Sequence, residues 1–94
     1  MKDFKNKKMS EYTLEELIIS LQERAEDIED KNCTDKKWIK ENLIFALDII
    51  HIYNVGDEEF FILIERMNKL DRAEADHFLK LYEKVKTEKK TNLS

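Results

Sequence analysis

The stretch that decides the fold is TDKKWIKENLIFALDIIHIYN, residues 34–54. Wound as an α-helix at about 100° per residue, it spreads Leu47, Leu43, Ile50, Ile39, Ala46, Tyr53, Ile49, Trp38, Phe45 and Ile52 over about 220° of its circumference. A helix covered on one side needs an apolar stripe of only about 100°. This segment is therefore either the central helix of a bundle, or its second stripe of Trp38, Phe45, Ile49 and Ile52 meets another chain. Its one polar sector holds Lys40, His51, Lys37, Asp48 and Glu41. The longest apolar run, Leu43 to Val55, is broken by Asp48, His51 and Asn54 and falls short of the roughly 20 residues of a membrane span. It is expected to be a buried core helix, and no membrane role is expected.

Three further helices flank this one. Thr13-Leu-Glu-Glu16 has the spacing of a capping box, and Leu14, Leu17, Ile18, Leu21, Ala25 and Ile28 follow as one narrow stripe. Thr34 is the expected cap of the second helix and Gly56 its left-handed stop. Asp57 is the expected cap of EEFFILIERMNKL, in which Phe60, Leu63, Ile64, Met67 and Leu70 share one side. Asp71, opening the capping-box string DRAE, starts a helix with Ala75, Phe78, Leu79, Tyr82 and Val85 at core spacing. With no proline and a single glycine, the chain lacks the turn residues that all-β folds need at their corners. The fold expected is all-α: a compact antiparallel bundle of four helices over about 13–31, 35–54, 58–70 and 72–87. Residues 10–87 then form a single domain, with a flexible basic segment over 1–9 and a flexible tail over 88–94.

Charge is distributed unevenly. The net −4 divides into +3 over residues 1–8, +3 over 84–94 and −10 over the body between them. Nucleic-acid affinity comes mostly from lysine and arginine neutralising phosphates, so an acidic body with basic ends argues against it, except weakly through the termini. A helix-turn-helix reading of the second and third helices fails likewise, because the recognition helix would present Asp57, Glu58 and Glu59 to phosphates. A DNA-associated transcriptional regulator is the alternative class. Cys33 is the only cysteine, which excludes an internal disulfide and points to the cytosol.

Two acid-x-x-His pairs, Asp48–His51 and Glu74–His77, raise the question of a di-metal bundle, which takes such a pair from each of two helices and a glutamate from each of the others. Glu23 or Glu26 and Glu65 would complete the count. Direction decides against it: Asp48 and His51 share the polar sector, opposite Leu43 and Ile50, while Glu74 belongs to a helix cap and His77 to an outer face. Cys33 has no histidine or second thiol nearby in sequence, and no glycine-rich phosphate loop exists. Neither a cofactor nor an enzymatic activity is expected.

Recognition of another protein remains. Glu16, Glu23, Asp27 and Asp30 line the outer face of the first helix and would complement a basic partner. Trp38, Phe45, Ile49 and Ile52 are the anchors expected at a partner or dimer interface. Residues 10–17, SEYTLEEL, resemble the opening of helix one in the colicin-nuclease immunity proteins, which are small acidic four-helix inhibitors of basic nucleases. The resemblance spans eight residues of 94, and the Tyr-Tyr-Pro segment with which that family grips its target has no counterpart here. The expectation is a small cytosolic protein-binding module, a regulator or inhibitor of a partner that is itself basic, or a chain that self-associates through its second helix.

Overall fold

Thr13 starts the first helix as its sequence demands. Its hydroxyl oxygen accepts from the Glu16 N–H at 3.1 Å and its own N–H donates to Glu16 Oε1 at 3.0 Å, so α1 (Leu14–Asp30) opens on a complete capping box. The computed structural model describes residues 12–93, and the segment expected to be flexible over 1–9 lies outside them. The second helix, α2 (Lys36–Tyr53), is capped by Asp35 rather than by Thr34: Asp35 Oδ1 accepts from the Trp38 N–H at 3.2 Å. Both residues are good caps, and the sequence offers them side by side.

The end of α2 also differs from expectation. Asn54 takes the left-handed stop at φ 60°, while Gly56, at φ 102°, precedes α3 (Asp57–Leu70) and closes its first turn with its backbone alone. Asp57 is thus the first residue of α3 and not its cap. Only glycine adopts the Gly56 conformation without strain, and a Cβ there would also stand 3.2 Å from Leu21 Cδ2. Asp71 caps α4 (Arg72–Leu93) as anticipated, its Oδ1 accepting from the Glu74 N–H at 3.2 Å. That helix runs to Leu93 instead of ending near 87. Its last turns contain lysine and glutamate, good helix formers, and no glycine or proline to stop them.

Cross-helix contacts define an up-down-up-down bundle. Lys36 at the start of α2 meets Asp71 at the end of α3 at 3.4 Å, and Lys86 late in α4 meets Asp57 at the start of α3 at 3.2 Å. Arg66, late in α3, donates from Nε to the Cys33 carbonyl at 2.6 Å and from Nη2 to the Asn32 carbonyl at 2.8 Å, fastening the α1–α2 turn. Each of α2 and α3 packs on all three other helices, whereas α1 and α4 pack chiefly on this central pair. The core between them is one continuous cluster: Leu17, Leu21 and Ile28 from α1, Ile39, Leu43, Ile49 and Ile50 from α2, Phe60, Leu63 and Met67 from α3, and Phe78 from α4. No helix among the described residues is long and apolar enough to cross a membrane.

Candidate functional site

The α1–α2 seam collects the side chains best equipped to meet another molecule. Arg24, on the edge of α1 that faces α2, lays its guanidinium 5.6 Å from the Trp38 ring centroid and 5.0 Å from that of Phe45. Its Nη1 donates to Asn42 Oδ1 at 3.3 Å, and Asn42 Nδ2 in turn donates to the Trp38 carbonyl at 2.8 Å. Burial holds the Arg24 pKa below its ordinary value, with the negative charge of Glu41 acting the other way. At 0% exposure Asn42 is the one buried polar residue among those described, and both ends of its amide are occupied.

Of the four expected anchors, three lie at this seam. Trp38 is 37% exposed, Ile52 54% exposed, and Phe45 is half-buried beneath Arg24. Ile49 does not belong with them: it is fully buried in the core cluster and meets the Gly56 turn. The helical wheel puts it beside Trp38, but the Gly56 turn, seated against Leu21 of α1, closes over its position. Ile44, which the apolar sweep left out, is 46% exposed on the opposite, polar side of α2.

The acidic residues flank this seam. Glu23, Asp27 and Asp30 are exposed on α1, with Asp27 paired to Lys31 at 3.0 Å. Glu16 has a structural duty, since its carboxylate closes the α1 capping box. By the 100° step of the helix, this acidic row lies about 60–120° round α1 from Arg24, on the side away from the core. On α2, Glu41 and Asp48 lie next to the Ile52–Phe45–Trp38 line by the same geometry. Burial pushes the Asp48 carboxyl up from its ordinary range, and His51 opposes that shift. The result is an apolar stripe, centred on a stacked arginine, between two rows of carboxylates.

The acid-x-x-His pairs do not converge. His51 and Asp48 are exposed on α2, His77 is exposed with its ring edge-on to Phe78, and Glu74 pairs with Lys40 of α2 at 3.4 Å. Among the described residues no group of three or more histidine, cysteine or carboxylate side chains is placed to hold a metal ion. A second exposed apolar area lies on α3 around Phe61, whose ring meets Tyr82 edge-on at 5.1 Å, with Glu58 and Glu65 at its margin.

Neither Arg24 nor Asn42 stands out as a site residue in the sequence. The available signal was that Asn42 falls by angle between Ile49 and Ala46, in the middle of the apolar arc, where a polar residue must find a partner. The fold defines the class of the protein, an all-α four-helix bundle. Comparison with family models, curated proteins and solved structures finds no match to this chain. The likeness at residues 10–17 thus stands on those positions alone, and the Thr13–Glu16 capping box accounts for its central string.

Proposed function

We infer that this chain is a small, non-catalytic, cytosolic protein-binding module: a regulator or inhibitor that acts by occupying a partner, favourably a basic one, through the α1–α2 seam. The observation that carries this reading is the pair of exposed side chains Trp38 and Ile52 flanking half-buried Phe45, with half-buried Arg24 stacked on Trp38 and Phe45. Tryptophan and arginine are the residue types most enriched where interfaces concentrate their binding energy, and here they are held in place by packing and by Asn42. Self-association through the same surface is the competing use of it.

The test is affinity capture from the native host with the wild-type chain beside Trp38→Ala/Ile52→Ala. Both substituted side chains are exposed, so helical content by circular dichroism should hold. A protein retained by the wild type and lost from the double variant supports the reading. Identical captured sets from the two chains would sink it.

A further inference from the structure

We propose that the α1–α2 seam is a groove for a basic amphipathic α-helix of a partner protein, about four turns long. Its aliphatic side chains would cover Trp38, Phe45 and Ile52, and its lysines or arginines would face the carboxylates on both banks. This rests on the binding-module reading and narrows it to one kind of ligand.

Length is fixed by the stripe. Trp38 and Ile52 stand fourteen residues apart on one straight helix, which at 1.5 Å per residue gives a contact line of about 21 Å. Shape follows from the neighbours. Two adjacent helices present a trough between their ridges, and a third helix seats in such a trough with anchors at three- and four-residue spacing. An extended peptide has nothing to pair with here, because the backbone hydrogen bonds of α1 and α2 are used within the helices themselves.

Charge selects among the occupants. Glu23, Asp27 and Asp30 stand on the α1 bank and Glu41 and Asp48 on the α2 bank, five carboxylates against three bases: Lys31, which pairs with Asp27, Arg24, whose charge Glu41 offsets, and exposed Lys37. A two-fold contact between copies would bring the same carboxylate rows together, in a chain whose net charge is already −4. Phosphate backbones and anionic lipid surfaces meet the same repulsion. A helix with an apolar stripe between lysines or arginines satisfies both the stripe and its banks, and the carboxylates gain most where partner contact excludes water.

Three synthetic 16-residue peptides without tryptophan test this on the full chain: a leucine/lysine amphipathic helix, the same composition scrambled so that no apolar face forms, and a leucine/glutamate helix with the same apolar face. Trp38 is the only tryptophan of the chain, so its emission reads the seam directly. The leucine/lysine helix is expected to shift that emission to the blue and to bind at least ten-fold more tightly than either control. Its affinity should fall several-fold between 50 and 300 mM salt. Glu23→Gln/Asp27→Asn should weaken it several-fold, and Ile52→Ala at least ten-fold, with helical content unchanged.

No binding by the leucine/lysine helix overturns the proposal. So does equal binding by the scrambled peptide, which would mean charge alone, or by the leucine/glutamate helix, which would mean non-specific apolar adhesion. Backbone amide shifts centred on Phe61 instead of Trp38, or a sedimenting dimer that buries Trp38 before peptide is added, overturn it as well. A Trp38-dependent partner from the host, in a chain that ignores the leucine/lysine helix, would defeat this ligand class and leave the binding-module reading standing.

Discussion

Replacing Asn42 separates what the buried amide does for stability from what it does for the seam. In Asn42→Ala two hydrogen bonds disappear: the 2.8 Å bond to the Trp38 carbonyl and the 3.3 Å bond from Arg24. The first is worth about 1 kcal/mol, and the second, charge-assisted but long, sits at the low end of about 1.5–3 kcal/mol. Neither partner is stranded. The Trp38 carbonyl lies inside a helix and keeps its backbone bond, and half-buried Arg24 can turn to water. With the small void left behind, Asn42→Ala should cost about 2–3 kcal/mol.

Asn42→Leu loses the same bonds, but it fills the space and adds a fully buried leucine, worth about 1.5–3 kcal/mol. The two changes nearly cancel, and the variant should stay within about 1 kcal/mol of the wild type. Urea denaturation followed by far-ultraviolet circular dichroism, read as midpoints at a common slope, measures both. In thermal terms the alanine variant should lose about 10 °C or more of Tm, and the leucine variant no more than about 8 °C. A leucine variant as unstable as the alanine one would refute the reasoning, because the amide would then be supporting more than these two bonds.

Ile49→Ala should cost about 2–4 kcal/mol as a core truncation, and Ile52→Ala no more than about 0.5 kcal/mol, which the same denaturation curves compare directly. Gly56→Ala should lose about 1–2 kcal/mol, since it combines a left-handed φ of 102° with a methyl group 3.2 Å from Leu21, and Leu21→Ala in the same chain should remove the steric part. Burial raises the Asp57 pKa, but hydrogen bonds from Tyr82 and Lys86 outweigh it and hold the carboxyl below its ordinary range. A lowered carboxyl pKa stabilises the fold above the unfolded value and is lost as pH falls through the folded one. Tm should therefore decline below about pH 4, and less steeply in Tyr82→Phe. Burial, then the Asp57 contact, pushes the Tyr82 hydroxyl up to about 12. Unfolded tyrosine ionises first, so stability should also fall from about pH 10 upward, and Tyr82→Phe should make that arm shallower in a pH–Tm series.

The helices were legible because each carries its own period and most carry a start signal. The reciprocal Thr13–Glu16 pair identifies itself from sequence, and so does Asp71 before its helix. Where two equivalent signals adjoin, as at Thr34–Asp35 and Asn54–Gly56, local chemistry does not rank them and tertiary packing does. Coverage was the harder quantity. A wheel gives the direction of Ile49 and Ile52 but not which neighbour lies that way, and the Gly56 turn beside Leu21 of α1 decides it for Ile49. The end of α4 was misplaced because periodicity stops where the apolar residues stop, although nothing in its last turns breaks a helix. Asn42 was missed because a polar residue inside an apolar arc gains meaning only once Arg24 is brought over it from a different helix.

Arg66 on the Asn32 and Cys33 carbonyls has counterparts at the other two joints of the bundle: Lys86 donates to Asn54 Oδ1 at 2.9 Å, and Lys36 to Asp71 Oδ2 at 3.4 Å. Each turn is thus tied down by a cation from a distant part of the chain. Small bundles usually accept spliced-in tags, domain insertions or circular permutation at their exposed turns. Here the exposed lysine ties are weak, but lengthening the α1–α2 joint would draw the Asn32 and Cys33 carbonyls off Arg66, which makes that joint the poorest of the three for an insertion.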